Sequence, residues 1–568
     1  MGNGVYADHG GYHHVADSYC RNLYLCTEIL YRRDRGCRRE RVSTVKTYEY
    51  TVCPENRIGE NDRFWAACGL DSLYPLIDTE GGEFLLKRMK EHGTCRYMRN
   101  HHTLSRLSKD GFPDAGGNVY SEDENGKRQY HFEKINGILK RYLDYGIKPV
   151  VELDFLPDEL SVRKMRGGVE EGVYDNRSYP ADWGKWQELL NAFVRNLADT
   201  FGREEVRTWY FEVWNEPDGW PVAEWPLFHK LYDVFVEAVK GVDKRFRVGG
   251  PGVFQPDFFR DFLEHVEKGT NAVTGKKGTE IDFLSYHIYG MSGGWLEEYP
   301  LIMPEVQRFC QQVMWIARMI EGYPGLKEVE FHLNEWGVFS NYEKNSRDYP
   351  VLEQRNSEFS ACFFIKLADC LTKIRQNFGF RVNMLLYWGF CLEDSRGELF
   401  AGNRGLSTGG HVMKPIGTAH ELLALMGDEL LEVRGDKSGG PVGCMAAKSP
   451  EGIQLLLYHV NESDPEGELP PVNIEAAVSG IEKTGYTIRV ICIDRKHHNT
   501  YRKWLELGRP DLCDTAAIRE LQRAAELTCD EVLKITAPDG RLFIRRRVPP
   551  QGIQLLMIEK EGEQEYGV

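Results

Sequence analysis

The sequence predicts an α/β protein: a (β/α)8 TIM barrel followed by a smaller β-sandwich domain. Three observations predict it. Between about Phe64 and Met426 a short apolar strand followed by an amphipathic helix recurs until eight strands are counted. Two of those strands run into an Asn-Glu pair, at Asn215-Glu216 and at Asn334-Glu335. Beyond Gly427 short alternating strands between Gly, Pro and Asp-rich turns replace the strand–helix rhythm.

The elements follow in chain order. Residues 1–42 form an N-terminal extension of no readable role; its His9, His13, His14, Cys20 and Cys26 match no zinc spacing. STVKTYEYTV, from Ser43 to Val52, alternates polar and apolar residues, so residues 43–60 are expected to supply a half-buried strand that joins the C-terminal sandwich. The barrel is expected over 61–428, with strands Phe64 to Cys68, Cys95 to Arg99, Lys148 to Leu153, Trp209 to Val213, Arg247 to Gly250, Asp282 to Ile288, Val329 to Leu333 and Val382 to Trp388. Helices such as Phe132 to Tyr145, Trp183 to Phe201, Glu224 to Val242, Pro304 to Ile320 and Gln354 to Ile374 carry apolar residues at three-and-four spacing. Strands that alternate with helices pair in parallel, and eight such units close into a barrel. The sandwich is expected over 429–568, with strands such as Ile453 to Tyr458, Tyr486 to Ile493, Arg541 to Arg547 and Ile553 to Ile558, and a helical insertion from Ala516 to Ala525.

Composition narrows the partners. The chain has 568 residues, 42% hydrophobic and 12% aromatic, enough for a large core and a further domain. A formal charge of −15 excludes the basic surface that nucleic acid or an anionic membrane would reward. No apolar run is long enough to span a bilayer, and MGNGVYADHGGYHHVADSYC lacks the apolar core of a signal peptide. Tyr6 stands where a myristoylation signal wants Ser or Thr. The 14 cysteines are scattered singly, with no CxxC pair, and read as reduced structural thiols of a cytoplasmic protein.

Chemistry is expected where the barrel strands end. Active sites of this fold lie at the C-terminal ends of the strands, where Glu216 and Glu335 fall on the fourth and seventh. A glutamate between an amide and a proline cannot continue a ladder, and so faces the space beyond the strand. Two such carboxyl groups are what glycoside hydrolysis needs, one as proton donor and one as nucleophile. Burial among Trp209 and Trp214, with the like charge of the other glutamate, is expected to keep the donor protonated.

The segments FEVWNEP, HLNEWG, RYMRNHH, VYSEDENGKRQYHFEKINGIL, DFLSYHIY and DRKHHNTYRKWLELGRP, in this order of strands, together resemble glycoside hydrolase family 39, its bacterial β-xylosidases above all and α-L-iduronidases more distantly. The resemblance implies a retaining enzyme with Glu216 as acid/base and Glu335 as nucleophile, needing neither metal nor organic cofactor. It further implies that Asn215 bonds the sugar 2-hydroxyl, that His101, His287 and Tyr289 bind sugar, and that Trp388 is a platform beneath it, partly exposed at its strand end. His102 stands where the family usually has glycine. In the loop after the eighth strand, GFCLEDSRGELF, the acids Glu393, Asp394 and Glu398 compete to hold the sugar hydroxyls, with Glu393 expected to bind.

The iduronidases have a lysine where this chain has Tyr289, and a phenol offers no charge for a uronic acid, although Arg396 or Arg404 would supply one. The expected substrate is therefore a neutral sugar, xylose first, released from the non-reducing end of an oligosaccharide or glycoside. The alternatives are another glycone (arabinoside, galactoside, glucoside or α-L-iduronide), an endo-acting enzyme, or a catalytically silent carbohydrate-binding derivative. Homo-oligomers are expected from the resemblance alone.

Overall fold

The computed structural model describes residues 45–70, 79–105, 119–157, 159–162, 179–291, 303–340, 345–389, 398–435, 440–467 and 469–561. The five histidines and cysteines singled out in the N-terminal extension lie outside them.

Eight parallel strands close into the predicted barrel: β2 (Ala67–Leu70), β3 (Tyr97–Asn100), β4 (Lys148–Leu153), β5 (Tyr210–Val213), β6 (Arg247–Val253), β7 (Phe283–Met291), β8 (Glu330–Phe339) and β9 (Met384–Trp388), which pairs back to β2. They follow β1 (Thr47–Glu60) in the chain. The helices that cross between them include α1 (Glu80–His92), α2 (Glu133–Asp144), α3 (Trp183–Phe201), α4 (Trp225–Lys240), α5 (Pro256–Lys268), α6 (Val306–Glu321) and α7 (Glu358–Phe378). Their limits have local causes. Asp182 caps α3 by accepting the Gly184 and Lys185 amides, and Gly379, at φ 72°, closes α7 in the left-handed conformation that glycine adopts at least cost.

Side chains alternate along each strand, so every second residue enters the barrel. The lower lumen is filled by Ala67, Val150, Tyr210, Phe283, Met384 and Leu386. Tyr210 hydrogen-bonds Glu330 at 2.6 Å there, closing the N-terminal end. The opposite faces of the strands pack on the helices in one continuous apolar layer.

After the short helix α8 (Pro415–Ala424) the chain turns to sheet, with β10 (Glu429–Arg434), β11 (Val442–Ser449), β12 (Gly452–His459), β13 (Val472–Ser479), β14 (Gly485–Ile493), β15 (Glu531–Thr536), β16 (Arg541–Val548) and β17 (Gly552–Lys560). These strands and β1 form one hydrogen-bonded sheet in the order β15-β14-β17-β12-β11-β10-β1-β13-β16. The two layers are thus continuous. β1 pairs with β13 through Thr47 to Val52 and with β10 from Thr51 to Glu60, the latter ladder with register shifts after Val52 and after Arg57, and the folded sheet encloses its own apolar core. The insertion holds two helices, α9 (Thr500–Glu506) and α10 (Thr515–Ala525).

The two regions are tied through α7. Tyr458 donates to Asp369 at 2.6 Å, Lys366 pairs with Glu462 at 2.6 Å, and buried Glu358 accepts from Asn499 and Arg502, each at 2.8 Å. The insertion packs Tyr501, Ile518 and Leu521 on Leu399, Phe400 and Val412, in the segment that follows β9. Ten cysteines fall among the described residues, all as free thiols, and no helix there is long and apolar enough to cross a membrane.

Candidate active site

At the C-terminal mouth of the barrel, Glu216 and Glu335 face each other across His287. The imidazole Nδ1 lies 2.9 Å from a Glu216 oxygen and 3.7 Å from a Glu335 oxygen, and the nearest atoms of the three groups are all within 4.8 Å of one another. The backbone places them by two different devices. β5 stops at Val213, and Trp214 and Glu216 then take left-handed conformations, with φ 69° and 45°, which turn the Glu216 side chain over the barrel. β8 does not stop at Leu333, as the sequence suggests, but continues to Phe339. A bulge makes this compatible with the site: Leu333 pairs with Tyr286 and Glu335 with His287, so the extra residue Asn334 lets two successive side chains enter the lumen.

Glu335 is 4% exposed and held on both oxygens, by Arg99 Nη1 at 2.9 Å and by the Tyr289 hydroxyl at 2.9 Å. Glu216 is more open, with 30% of its side chain exposed. The expected shield does not form. Trp209 sits at the far end of β5, donating to Glu205, and Trp214 packs edge-on against Phe155 and Trp220. Burial drives His287 down to about 4, with Glu335 pulling it up and Arg99 pushing it down, so the imidazole between the carboxyl groups is neutral at neutral pH.

Beneath lies a charge cluster that sequence reading missed. The buried Arg99 guanidinium donates to Glu152 at 2.5 Å, to Glu212 at 2.7 Å, to Glu335 at 2.9 Å and to the Asn215 oxygen at 3.1 Å. Asn334 and Ser285 complete the shell of Glu212, the amide at 2.8 and 2.9 Å and the hydroxyl at 2.5 Å. One cation among three carboxyl groups leaves negative charge in excess, and burial raises Glu152 well above the carboxylate range against the pull of Arg99, which favours its protonated form. Gly252 makes room: it has φ 60°, a Cβ there would stand 3.2 Å from Glu212 Oε1, and its carbonyl accepts the Glu216 amide at 2.9 Å. The signal was available as lone charges inside apolar strands, in KPVVEL and YFEV.

The other expected site residues are placed as follows. His101 and Arg99, two apart on one face, enter together; His101 Nδ1 lies 2.7 Å from Glu152, and Nε2 is 3.7 Å from Glu335. His102 has φ 63°, the left-handed conformation that explains why glycine suits this position. Its amide donates to Asp154, whose carboxyl group burial pushes up to about 8. Trp388 is 1% exposed, not partly exposed as expected, with its ring 4.6 Å from the His101 ring and close over Gly69, where a Cβ would come within 2.3 Å of it. The lack of a side chain at Gly69 is what leaves room for the indole in the lumen. Glu393, Asp394 and Arg396 lie outside the described residues, and Glu398 pairs with Arg347. Arg404 is at the site: its Nη1 donates to the Tyr289 hydroxyl at 3.0 Å.

Among the described residues two groups of donors are close enough to hold a metal ion, Glu216–His287–Glu335 and His101–Glu152–Asp154. In both, carboxylate oxygens already accept from Arg99, Tyr289, His101 or backbone amides, and a further cation would stand against the Arg99 guanidinium. The chemistry the donors suit is proton transfer and nucleophilic attack.

Comparison with known proteins agrees with this geometry. The sequence profile of glycosyl hydrolases family 39 matches residues 49–542. A β-xylosidase of Caldicellulosiruptor saccharolyticus is 25% identical over 498 residues, covering 86% of this chain and 93% of the relative. The human α-L-iduronidase is 30% identical over 251 residues, 40% of this chain and 34% of that protein. In fold, a monomeric β-xylosidase from Caulobacter crescentus CB15 superimposes with a TM-score of 0.73 at 23% identity, covering 91% of this chain and all of the other. With a match over most of its length and two facing carboxyl groups at the mouth of its barrel, the chain belongs to glycosyl hydrolase family 39 and is a glycoside hydrolase.

Proposed function

We propose that this enzyme is a retaining, exo-acting β-xylosidase that releases xylose from the non-reducing ends of oligosaccharides. One observation carries the mechanism: oxygens of Glu216 and Glu335 lie within 4.8 Å of each other, the close spacing of a double displacement and too close for the water of an inverting one. The β-xylosidase relatives, matched over nearly their whole length, support the sugar.

In this reading Glu335, oriented by Arg99 and Tyr289, attacks the anomeric carbon while Glu216 protonates the departing oxygen. Neutral His287 serves both states of Glu216, since an imidazole nitrogen donates to the carboxylate in one tautomer and accepts from the acid in the other. The Asn215 oxygen is engaged by Arg99, which turns its amide nitrogen to the task of bonding the sugar 2-hydroxyl. Water, deprotonated by Glu216, then releases the sugar from Glu335 with net retention. His101 and Trp388 form the floor below the sugar. The free thiols among the described residues support a cytoplasmic enzyme fed with imported oligosaccharides.

A second reading has its own observation. Arg404 brings a guanidinium to the hydroxyl of Tyr289, the position where a lysine would serve a uronic acid, so the charge that Tyr289 lacks is supplied from the loop beyond β9. An α-L-iduronide is then the competing substrate. Assay of aryl β-xyloside beside aryl α-L-iduronide separates the two, and a wild-type preference for the iduronide would overturn the xyloside. With Glu335→Ala, azide is expected to rescue turnover as a glycosyl azide of inverted configuration; with Glu216→Ala, as one of retained configuration. Rescue in the opposite sense would exchange the two roles, and an inverted sugar product from the wild type would refute retention.

A further inference from the structure

We propose that Phe254 is the aglycone platform of the site, an aromatic face that receives the leaving group on the Glu216 side of the scissile bond. The inference rests on the assignment of Glu216 as proton donor.

Phe254 follows the last residue of β6 at the catalytic mouth and is 48% exposed. Most phenylalanines of this chain are buried, so an exposed one beside a catalytic glutamate calls for an account. It is also fixed. Its amide donates to Asp218 Oδ2 at 3.0 Å, its carbonyl accepts the Tyr286 hydroxyl at 2.5 Å, and Gln255 donates from its backbone to the same Asp218 oxygen at 2.7 Å. Asp218 is 3% exposed and sits in the 3₁₀ turn Pro217–Gly219 that begins directly after Glu216. Two cross-links, Glu216 N to Gly252 O at 2.9 Å and Phe254 N to Asp218 at 3.0 Å, therefore lock segments 216–218 and 252–254 side by side. The proton donor and the exposed ring ride on one rigid unit.

A proton donor must lie within hydrogen-bond reach of the glycosidic oxygen, so the leaving group begins at the Glu216 carboxyl and extends outward over its flank. The glycone occupies the other side, above Trp388 and His101. Phe254 stands on that flank, joined to the Glu216 segment by the two cross-links. An aromatic ring there stacks equally well on the C–H face of a second sugar or on an aryl aglycone. The buried Asp218 carboxyl group holds two amides of one short segment, which is how a loop residue acquires the rigidity of a binding surface.

The test holds the glycone constant and varies the aglycone: a 4-nitrophenyl glycoside, the corresponding disaccharide and the methyl glycoside, whose single carbon cannot span to the ring. The glycone is the sugar that the wild type hydrolyses, so failure of the xyloside reading changes the series without removing the test. Phe254→Ala is expected to lower kcat/KM about three- to tenfold for the aryl and disaccharide substrates and to leave the methyl glycoside unchanged. Phe254→Tyr keeps the ring and the wild-type pattern; Phe254→Leu keeps apolar bulk and loses the discrimination. Equal loss on all three aglycones would show a structural role for the ring and overturn the proposal, as would no change on any.

Discussion

Tyr289 stands between Arg404 and Glu335: its hydroxyl accepts from the guanidinium at 3.0 Å and donates to the carboxylate at 2.9 Å. One phenol thus orients the proposed nucleophile and receives a cation from a loop 115 residues further along the chain. Burial and the Glu335 charge raise Tyr289 well above the usual phenol range, so it stays a donor at every working pH. Tyr289→Phe removes a hydrogen bond to a charged group, and kcat/KM is expected to fall roughly ten- to hundredfold with the fold intact. Arg404→Gln separates the two substrate readings. It should cost a neutral glycoside less than tenfold, since the phenol still reaches Glu335, but abolish any turnover of a uronide.

The Arg99 cluster makes an unequal pair of predictions. Arg99→Lys leaves a single ammonium group to serve Glu152, Glu212 and Glu335, so buried charge goes uncompensated; a loss of about 3 kcal/mol or more in urea unfolding is expected, with activity largely gone. Glu152→Gln replaces a carboxyl group whose protonated form burial favours with a neutral amide of the same shape. It should stay within about 1 kcal/mol of wild type. Equal damage from both substitutions would show that Glu152 is ionised in the folded protein.

How much of this was legible in the chain depends on whether the signal is local. The barrel was, because a strand repeats every two residues and a helix every 3.6, and eight such alternations leave one closed arrangement. Glu216 and Glu335 were legible as polar residues at strand ends, and His287 with Tyr289 as a two-residue spacing that puts both on one face. The bulge at Asn334 was not, since register is a relation between two strands, and so β8 was cut short at Leu333. Arg404 reaches Tyr289 from a segment 115 residues further along the chain, a contact which no periodicity records. The depth of Trp388 follows from Gly69 on the neighbouring strand, a contact written in neither local sequence.

That contact yields a prediction. A Cβ at residue 69 would come within 2.3 Å of two Trp388 ring atoms, nearer than any relaxed contact. Gly69→Ala must displace the indole from beneath His101, at a cost of about 1–3 kcal/mol in stability. Near-ultraviolet circular dichroism should report the tryptophan shift, and KM for the glycoside should rise as the floor tilts. An unchanged KM would remove Trp388 from the floor of the sugar site.

Between about pH 4 and neutrality, two kinds of buried group pull stability in opposite directions. On the acid side, burial holds His287 and His420 at about 4, while the unfolded chain titrates near 6.5. A depressed histidine contributes stability that is complete above about pH 6.5 and is lost as pH falls through 4, because the unfolded state takes up the proton first. Burial lifts Asp154 to about 8, and the sign reverses: its contribution is complete below the ordinary carboxylate range and is lost across the span from there to pH 8, so it offsets part of the histidine loss in the same window. His420 isolates the acid term. It lies outside the catalytic mouth, stacked 3.8 Å from Phe364 with Nδ1 2.8 Å from the Ile416 carbonyl. Urea unfolding of His420→Gln between pH 7 and 4 should show an acid limb flatter by on the order of 3 kcal/mol than that of the wild type. Parallel limbs in the two proteins would mean that His420 is protonated in the fold, and that the buried carbonyl holds a charged ring.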